Sequence, residues 1–186
     1  RYYQCLDDDQ ADAYESASGG IATYFPLAFR PDARVLDLGC GTGRDTALLA
    51  RESREVYGVE PVPRMRDLAI THHPDLAGRI LAGELPDGLP TRDALGGPFD
   101  GIVCSAVLQH LPRHQLFDAV FAIRELLATR GRLLVSIPRG QVGAPGDDRD
   151  GQGRLFNGVT AGELDLLFER AGFQGIGRWE NPDSLG

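Results

Sequence analysis

A chain of 186 residues can enclose one hydrophobic core, and 42% apolar with 25% charged residues is the balance of a globular domain. A formal charge of −8 argues against partners presenting a phosphate backbone. No apolar run approaches the ~20 residues of a bilayer span, so we expect neither a nucleic acid nor a membrane partner.

The basic residues are all arginine, which removes lysine Schiff-base chemistry. Cys5, Cys40 and Cys104 are odd in number and form no CxxC, so we expect no disulfide framework, no zinc site and a reducing, cytoplasmic setting. The chain opens at Arg1 rather than Met, and further residues are expected upstream.

Residues 1–30 read as a helical or irregular cap rich in tyrosine, including Tyr2, Tyr3, Tyr14 and Tyr24. Pro31-Asp32 is a turn before a strand over 35–38, and a helix over 42–52 follows the glycines. A second strand over 55–59 ends at Glu60, and Pro61 and Pro63 break the chain before a helix over 64–71. A short third strand is expected over 79–82, then mostly loop over 83–98. The apolar run 99–105 suits a strand buried on both faces of a parallel sheet. From Gln115, Leu116, Val120, Ile123 and Leu127 recur at helical spacing, and Gly131 is the expected end of that helix. A fifth strand follows over 133–137 and a polar, glycine-rich loop over 138–153, long enough to act as a lid. Thr160 and Glu163 form a capping box for a helix over 161–171, ended by Gly172. A sixth strand is expected over 176–179. The alternation of strands and helices predicts a mostly parallel, Rossmann-like doubly wound α/β sheet with helices on both faces, in a single domain.

In such a sheet ligands gather beyond the carboxyl ends of the strands. The first strand ends in Asp37, Gly39, Cys40, Gly41 and Gly43. Without side chains at those glycines a ligand can approach the backbone, although a glycine turn alone is often only a tight turn. Glu60 follows 21 positions after Gly39, a spacing at which a carboxylate can accept both hydroxyls of a ribose. The third strand ends in Gly83-Glu84-Leu85, and the fourth in Cys104-Ser105-Ala106, followed by Gln109-His110-Leu111. Cys40 and Cys104 read as small core residues, and His72, His73 and His114 as surface residues.

These segments, with Phe99-Asp100, Arg130-Gly131-Arg132 and Ala171-Gly172-Phe173, resemble class I S-adenosylmethionine-dependent methyltransferases over about residues 14–173. The likeness is strongest to the bacterial methyltransferase-11-like group. The resemblance implies that Gly39, Gly41 and the backbone near Cys40 face the methionine part of S-adenosylmethionine, whose product is S-adenosylhomocysteine. It implies that Asp37 orients the turn and holds the ammonium, that Glu60 binds the ribose, and that Pro61 or Val62 packs on adenine. Glu84 and the Leu85 amide would meet the adenine edge, Ser105 would lie near the sulfonium, and Tyr14 would cap the carboxylate. Glu84 departs from the usual Asp, and a plain loop carboxylate remains the other reading of it. His110 is either a general base at the methyl acceptor or a structural residue closing the fourth strand. Tyr2 and Tyr3 either line the acceptor pocket or pack.

The expected function is methyl transfer to a small molecule. A macromolecular acceptor, or a SAM-binding subunit without turnover, stands as the alternative. The segment Ser105-Ala106-Val107-Leu108 lacks the Pro-Pro-Tyr element of nucleobase amino methylation, and the acidic residue before the closely spaced glycines argues against a nicotinamide dehydrogenase. A complete sheet of the resembled class has seven strands, so the final hairpin is expected to be incomplete.

Overall fold

The computed structural model describes residues 3, 8–16, 20–52, 55–139, 149–150 and 153–181. Helix α1 (Asp8–Ser16) and the short α2 (Phe25–Ala28) precede strand β1 (Arg34–Leu38). Then come α3 (Arg44–Arg51), β2 (Glu55–Glu60), α4 (Pro63–His72) and β3 (Ile80–Ala82). β4 (Phe99–Ser105), α5 (Leu116–Leu126), β5 (Leu127–Ser136) and α6 (Ala161–Arg170) complete the order.

The strands form one sheet in the order β3-β2-β1-β4-β5, every pair parallel. Side chains alternate across it, as the period of two requires. Leu36, Leu38, Ile102 and Cys104 face α5 and α6, where they pack on Leu116, Ala119, Ile123 and Leu164. Val35, Val56, Val103 and Leu134 face the other way, onto Leu49 of α3 and onto Ile21, Phe25 and Phe29 of the N-terminal segment. Helices therefore cover both faces, and the central strands are apolar because both of their faces are buried. Each large side chain sealed here contributes about 1.5–3 kcal/mol. Among the described residues, no helix is long and apolar enough to cross a membrane.

Two expected elements differ. The helix expected to run to Gly131 ends at Leu126, because Leu127 already pairs with Phe99 of β4. The register then jumps to Arg132 opposite Gly101, and the intervening residues bend out with Arg130 at φ +65°. The strand expected over 176–179 is not formed. Trp179 instead stacks on Tyr24 at 4.8 Å, Tyr24 donates a hydrogen bond to Asn181 Oδ1, and Arg139 pairs with Glu180. Side-chain anchors, in a segment carrying Gly175 and Gly177, take the place of a backbone ladder.

Candidate active site

Parallel pairing brings the carboxyl ends of all five strands to one edge. Leu38 lies beside Val59 and Cys104, Glu60 beside Ala82, and Ser105 beside Ser136. β1 and β4 are neighbours although two strands separate them in sequence, so the chain reverses its winding direction between them. That is the crevice where such sheets take ligands.

The turn after β1 is built on left-handed backbone. Gly39, Gly41 and Gly43 have φ of +71°, +56° and +83°. The Gly39 and Cys40 amides both donate to the Val59 carbonyl, at 2.7 and 3.2 Å, tying the turn to β2. The three glycines differ in how closely other side chains approach their Cβ direction. A Cβ at Gly39 would lie 2.4 Å from Val107 Cγ2, and one at Gly43 would lie 3.0 Å from the Ala69 side chain of α4. At Gly41 the nearest atom, Met65 Cε, is 3.5 Å away. Side chains thus crowd the first and third positions, and the middle one is the least crowded, with Met65 in ordinary contact.

Val107 reaches Gly39 because Ala106 turns the chain sharply after β4. Ala106 adopts φ +54°, costly for a residue with a Cβ, while its amide donates to the Ser136 carbonyl at 3.0 Å. Ser105 and Ser136 join their hydroxyls at 3.1 Å beside it.

Two carboxylates stand behind the turn. Glu60 is buried, with Oε2 accepting from the Gly41 amide at 3.0 Å and Oε1 from Val62 at 2.9 Å. Burial pushes its carboxyl up, opposed by those two amides. Asp37 is buried in β1 and accepts from Thr46 Oγ1 of α3 at 2.7 Å. Burial first, and then the Asp45 charge, push its carboxyl up to about 7. The two predicted core cysteines are buried, and burial pushes the Cys104 thiol up to about 12, so neither is a poised thiolate.

The other predicted positions fall around this centre. Pro61 is exposed, and its carbonyl accepts from Arg66, which also holds the Glu60 carbonyl. Glu84 is exposed at the start of a tight loop closed by paired backbone bonds with Gly88, and Leu85 is half-buried against the core. Tyr14 on α1 comes over the turn: its carbonyl accepts from Arg44 at 3.3 Å, and its hydroxyl lies 3.4 Å from Arg154. Glu15, next to it, contacts His73 at 2.8 Å. His72 and His73, expected at the surface, are half-buried.

His110 stands at the far side. Its Nδ1 lies 2.7 Å from the Leu155 carbonyl, which can only accept, so Nδ1 carries the proton. In the neutral ring Nε2 is then the open base, and the Tyr3 hydroxyl donates to it from 3.3 Å. Burial lowers the imidazole's affinity for a second proton and keeps the ring neutral.

The residues that hold His110 were not legible in the sequence. Asp150 accepts from the Arg154 amide at 2.8 Å and from its Nε at 2.6 Å, closing a small hairpin bridged by Arg149 and Leu155. Asn157, buried, donates to the Leu108 and Leu111 carbonyls at 2.7 and 2.8 Å and pins this segment beneath His110. Acidic residues followed by glycines over 147–153 signal a turn, but nothing marks Asn157. Residues 140–148 and 151–152 of the expected lid, and also Tyr2 and Cys5, lie outside the described residues.

A family model described as a methyltransferase domain matches residues 10–176. The chain belongs to the methyltransferase-domain family. This domain thus stands among the class I SAM-dependent methyltransferases, whose cofactor is S-adenosylmethionine. It is similar to the protein-L-isoaspartate O-methyltransferase of Ectopseudomonas mendocina, with 32% identity over 66% of this chain and 54% of that protein. The domain spans about half the length of the curated relatives it matches. Its fold is similar to a TehB-like SAM-dependent methyltransferase from Corynebacterium glutamicum, with TM-score 0.66 and 23% identity over 88% and 78% of the two chains. It is also similar to a SAM-bound amino pentose methyltransferase from Micromonospora echinaspora, with TM-score 0.55 and 28% identity over 72% and 57%.

Proposed function

We propose that the chain transfers a methyl group from S-adenosylmethionine to a small-molecule acceptor. The observation that carries this reading is the pairing of Gly41, the least crowded of the three glycines, with the buried Glu60 at the switch point. Each Glu60 oxygen accepts one backbone N–H, and a carboxylate has about four lone-pair sites, so capacity remains for two ribose hydroxyls. The donor brings a methyl group on a cationic sulfur with its leaving group attached.

The chain's own work is alignment, charge and exclusion of water. In this reading Asp37 orients the turn and faces the ammonium, Tyr14 reaches the carboxylate from α1, and Gly39, Cys40 and Gly41 carry the methionine part. Pro61 or Val62 packs on adenine, Glu84 and the Leu85 amide meet its edge, and Ser105 lies near the reacting methyl. His110 receives the acceptor's proton at Nε2 where the acceptor has one to lose. The half-buried Tyr3, Tyr14 and Phe156 beside it suit an organic acceptor.

A protein acceptor is the second reading, favoured by the isoaspartate relatives. Calorimetry with S-adenosylmethionine and S-adenosylhomocysteine tests the donor site. Both should bind, NAD should stay silent, and Glu60→Ala should weaken binding at least tenfold with the circular dichroism spectrum retained. Unchanged affinity in a folded Glu60→Ala protein rejects the site. Labelled methyl transfer to an isoaspartyl peptide, set against a small-molecule panel, separates the two acceptor readings. Donor binding with no transfer to either supports a SAM-binding subunit.

A further inference from the structure

Tyr3, named in the reading above only as an aromatic neighbour of His110, also makes a polar contact with it. Its hydroxyl sits 3.3 Å from Nε2 of His110, the one imidazole nitrogen able to take a proton. Its ring stands edge-on to the imidazole at 6.0 Å and lies 6.4 Å from the ring of Tyr14. Phe156 meets the imidazole edge-on at 4.8 Å, and the Arg154 guanidinium lies 5.3 Å above the Phe156 ring. A phenol is thus held by its oxygen on the base, among aromatic and cationic neighbours that favour another π-system.

We infer that this cluster is the acceptor subsite and that it takes an aromatic hydroxyl, with the Tyr3 phenol marking the position the acceptor's own hydroxyl occupies on His110. The inference rests on the methyl-transfer reading. In the step it describes, the acceptor oxygen forms its bond to the methyl carbon as the carbon–sulfur bond breaks. The electron pair of that bond stays on sulfur as the thioether of S-adenosylhomocysteine, and the phenolic proton passes to Nε2 of His110.

The strength of the base supports the same class. Burial makes His110 a weaker base than a free imidazole. A phenol titrates near about 10, whereas water titrates at about 15.7 and an unactivated aliphatic hydroxyl resembles water. Proton transfer to a weakened imidazole is therefore about six powers of ten closer to balance for the phenol. The hydroxyl could belong to a free phenol or to a tyrosyl residue.

The test is a titration of the full chain, with its histidines labelled with nitrogen-15, by catechol, cyclohexanol and acetyl-tyrosinamide in the presence of S-adenosylhomocysteine. Catechol should shift the His110 Nε2 resonance saturably, and cyclohexanol, a ring of equal size without the acidic hydroxyl, should not. Tyr3→Phe removes the competing hydroxyl while keeping the ring, so catechol should bind about threefold to tenfold more tightly, the worth of one hydrogen bond. A response to acetyl-tyrosinamide and not to catechol assigns the same chemistry to a tyrosyl acceptor. Equal binding of catechol and cyclohexanol overturns the inference, as does a Tyr3→Phe protein with unchanged affinity for the aromatic probes. If S-adenosylhomocysteine binds and no phenol responds, the acceptor inference alone fails. If S-adenosylhomocysteine does not bind, the methyl-transfer reading fails and takes the inference with it.

Discussion

Asp37 holds a carboxyl almost out of reach of water, with a single hydroxyl donor at 2.7 Å and the Asp45 charge nearby. Its ordinary value of 3.8 rises to about 7, first through burial. The sign of the resulting pH dependence follows from linkage. Between about pH 4 and 7 the folded chain keeps a proton that the unfolded chain gives up, so the stability this group contributes below that window is lost as pH rises through it. Asp37→Asn preserves the shape and the acceptor for Thr46 but has no proton to lose. Urea unfolding at pH 5, 6, 7 and 8 should therefore show the variant gaining on the parent protein as pH rises, by a few kcal/mol at most, with the gain levelling off above about pH 7. A difference that stays constant across the series would mean that Asp37 is ionised in the fold throughout. Such a residue suits the proposed role, because an approaching ammonium would draw the proton off and make ligand binding release it.

At the scale of elements, the site and the opposite end of the sheet are held by different means. Away from the strand ends that form the site, Arg34 at the start of β1 lies over the rings of Tyr57 and Phe99, at 5.0 and 4.2 Å. Its guanidinium donates to the carbonyls of Leu95, Gly97 and Pro98 and to Glu55, fastening the loop before β4 under the sheet. Lysine offers neither a flat stacking surface nor a fork of donors. Arg34→Lys should lower unfolding stability by about 2 kcal/mol in a denaturant titration while leaving affinity for S-adenosylhomocysteine unchanged, because nothing at the strand tips touches it. A loss of affinity matching the loss of stability would show the two ends to be coupled. Elements of this kind explain what the sequence does and does not reveal. The apolar run of β4, the glycine turn after β1 and the capping box of Thr160 and Glu163 are encoded locally, and they fold as read. The end of α5 departs from its helical spacing because Leu127 is both a good helix residue and the first partner of Phe99, and the sheet prevails. The strand expected over 176–179 does not form, and β propensity carries no sign that Trp179 finds Tyr24, 155 positions earlier in the chain. In the site, the acids and glycines carry their own spacing. Arg154 and Asn157 act through contacts with segments more than 40 positions away, which no local pattern records.

Taken as a whole molecule, the candidate site is assembled from segments that have little else in common. α1 supplies Tyr14, the turn after β1 supplies Gly41, β2 supplies Glu60, the chain beyond β4 supplies His110, and the 149–155 hairpin supplies Arg154. Several of these pieces meet through polar side-chain contacts between segments far apart in the chain, such as Tyr14 with Arg154 and Glu15 with His73. A ligand that touches several of them at once binds the folded chain and not the unfolded one. At a concentration one hundred times its dissociation constant it stabilises the fold by about 2.7 kcal/mol. For a chain of this size about 1 kcal/mol moves the melting midpoint by roughly 2–4 °C, so S-adenosylhomocysteine should raise Tm by about 5–10 °C in a thermal melt, and NAD by nothing measurable. Tyr14→Phe removes only the hydroxyl that meets Arg154, and should reduce that rise while leaving the ligand-free Tm within about 2 °C, since one long, part-buried polar contact is worth little. A rise in Tm identical in the two proteins would remove α1 from the binding site and leave the strand ends to hold the donor alone.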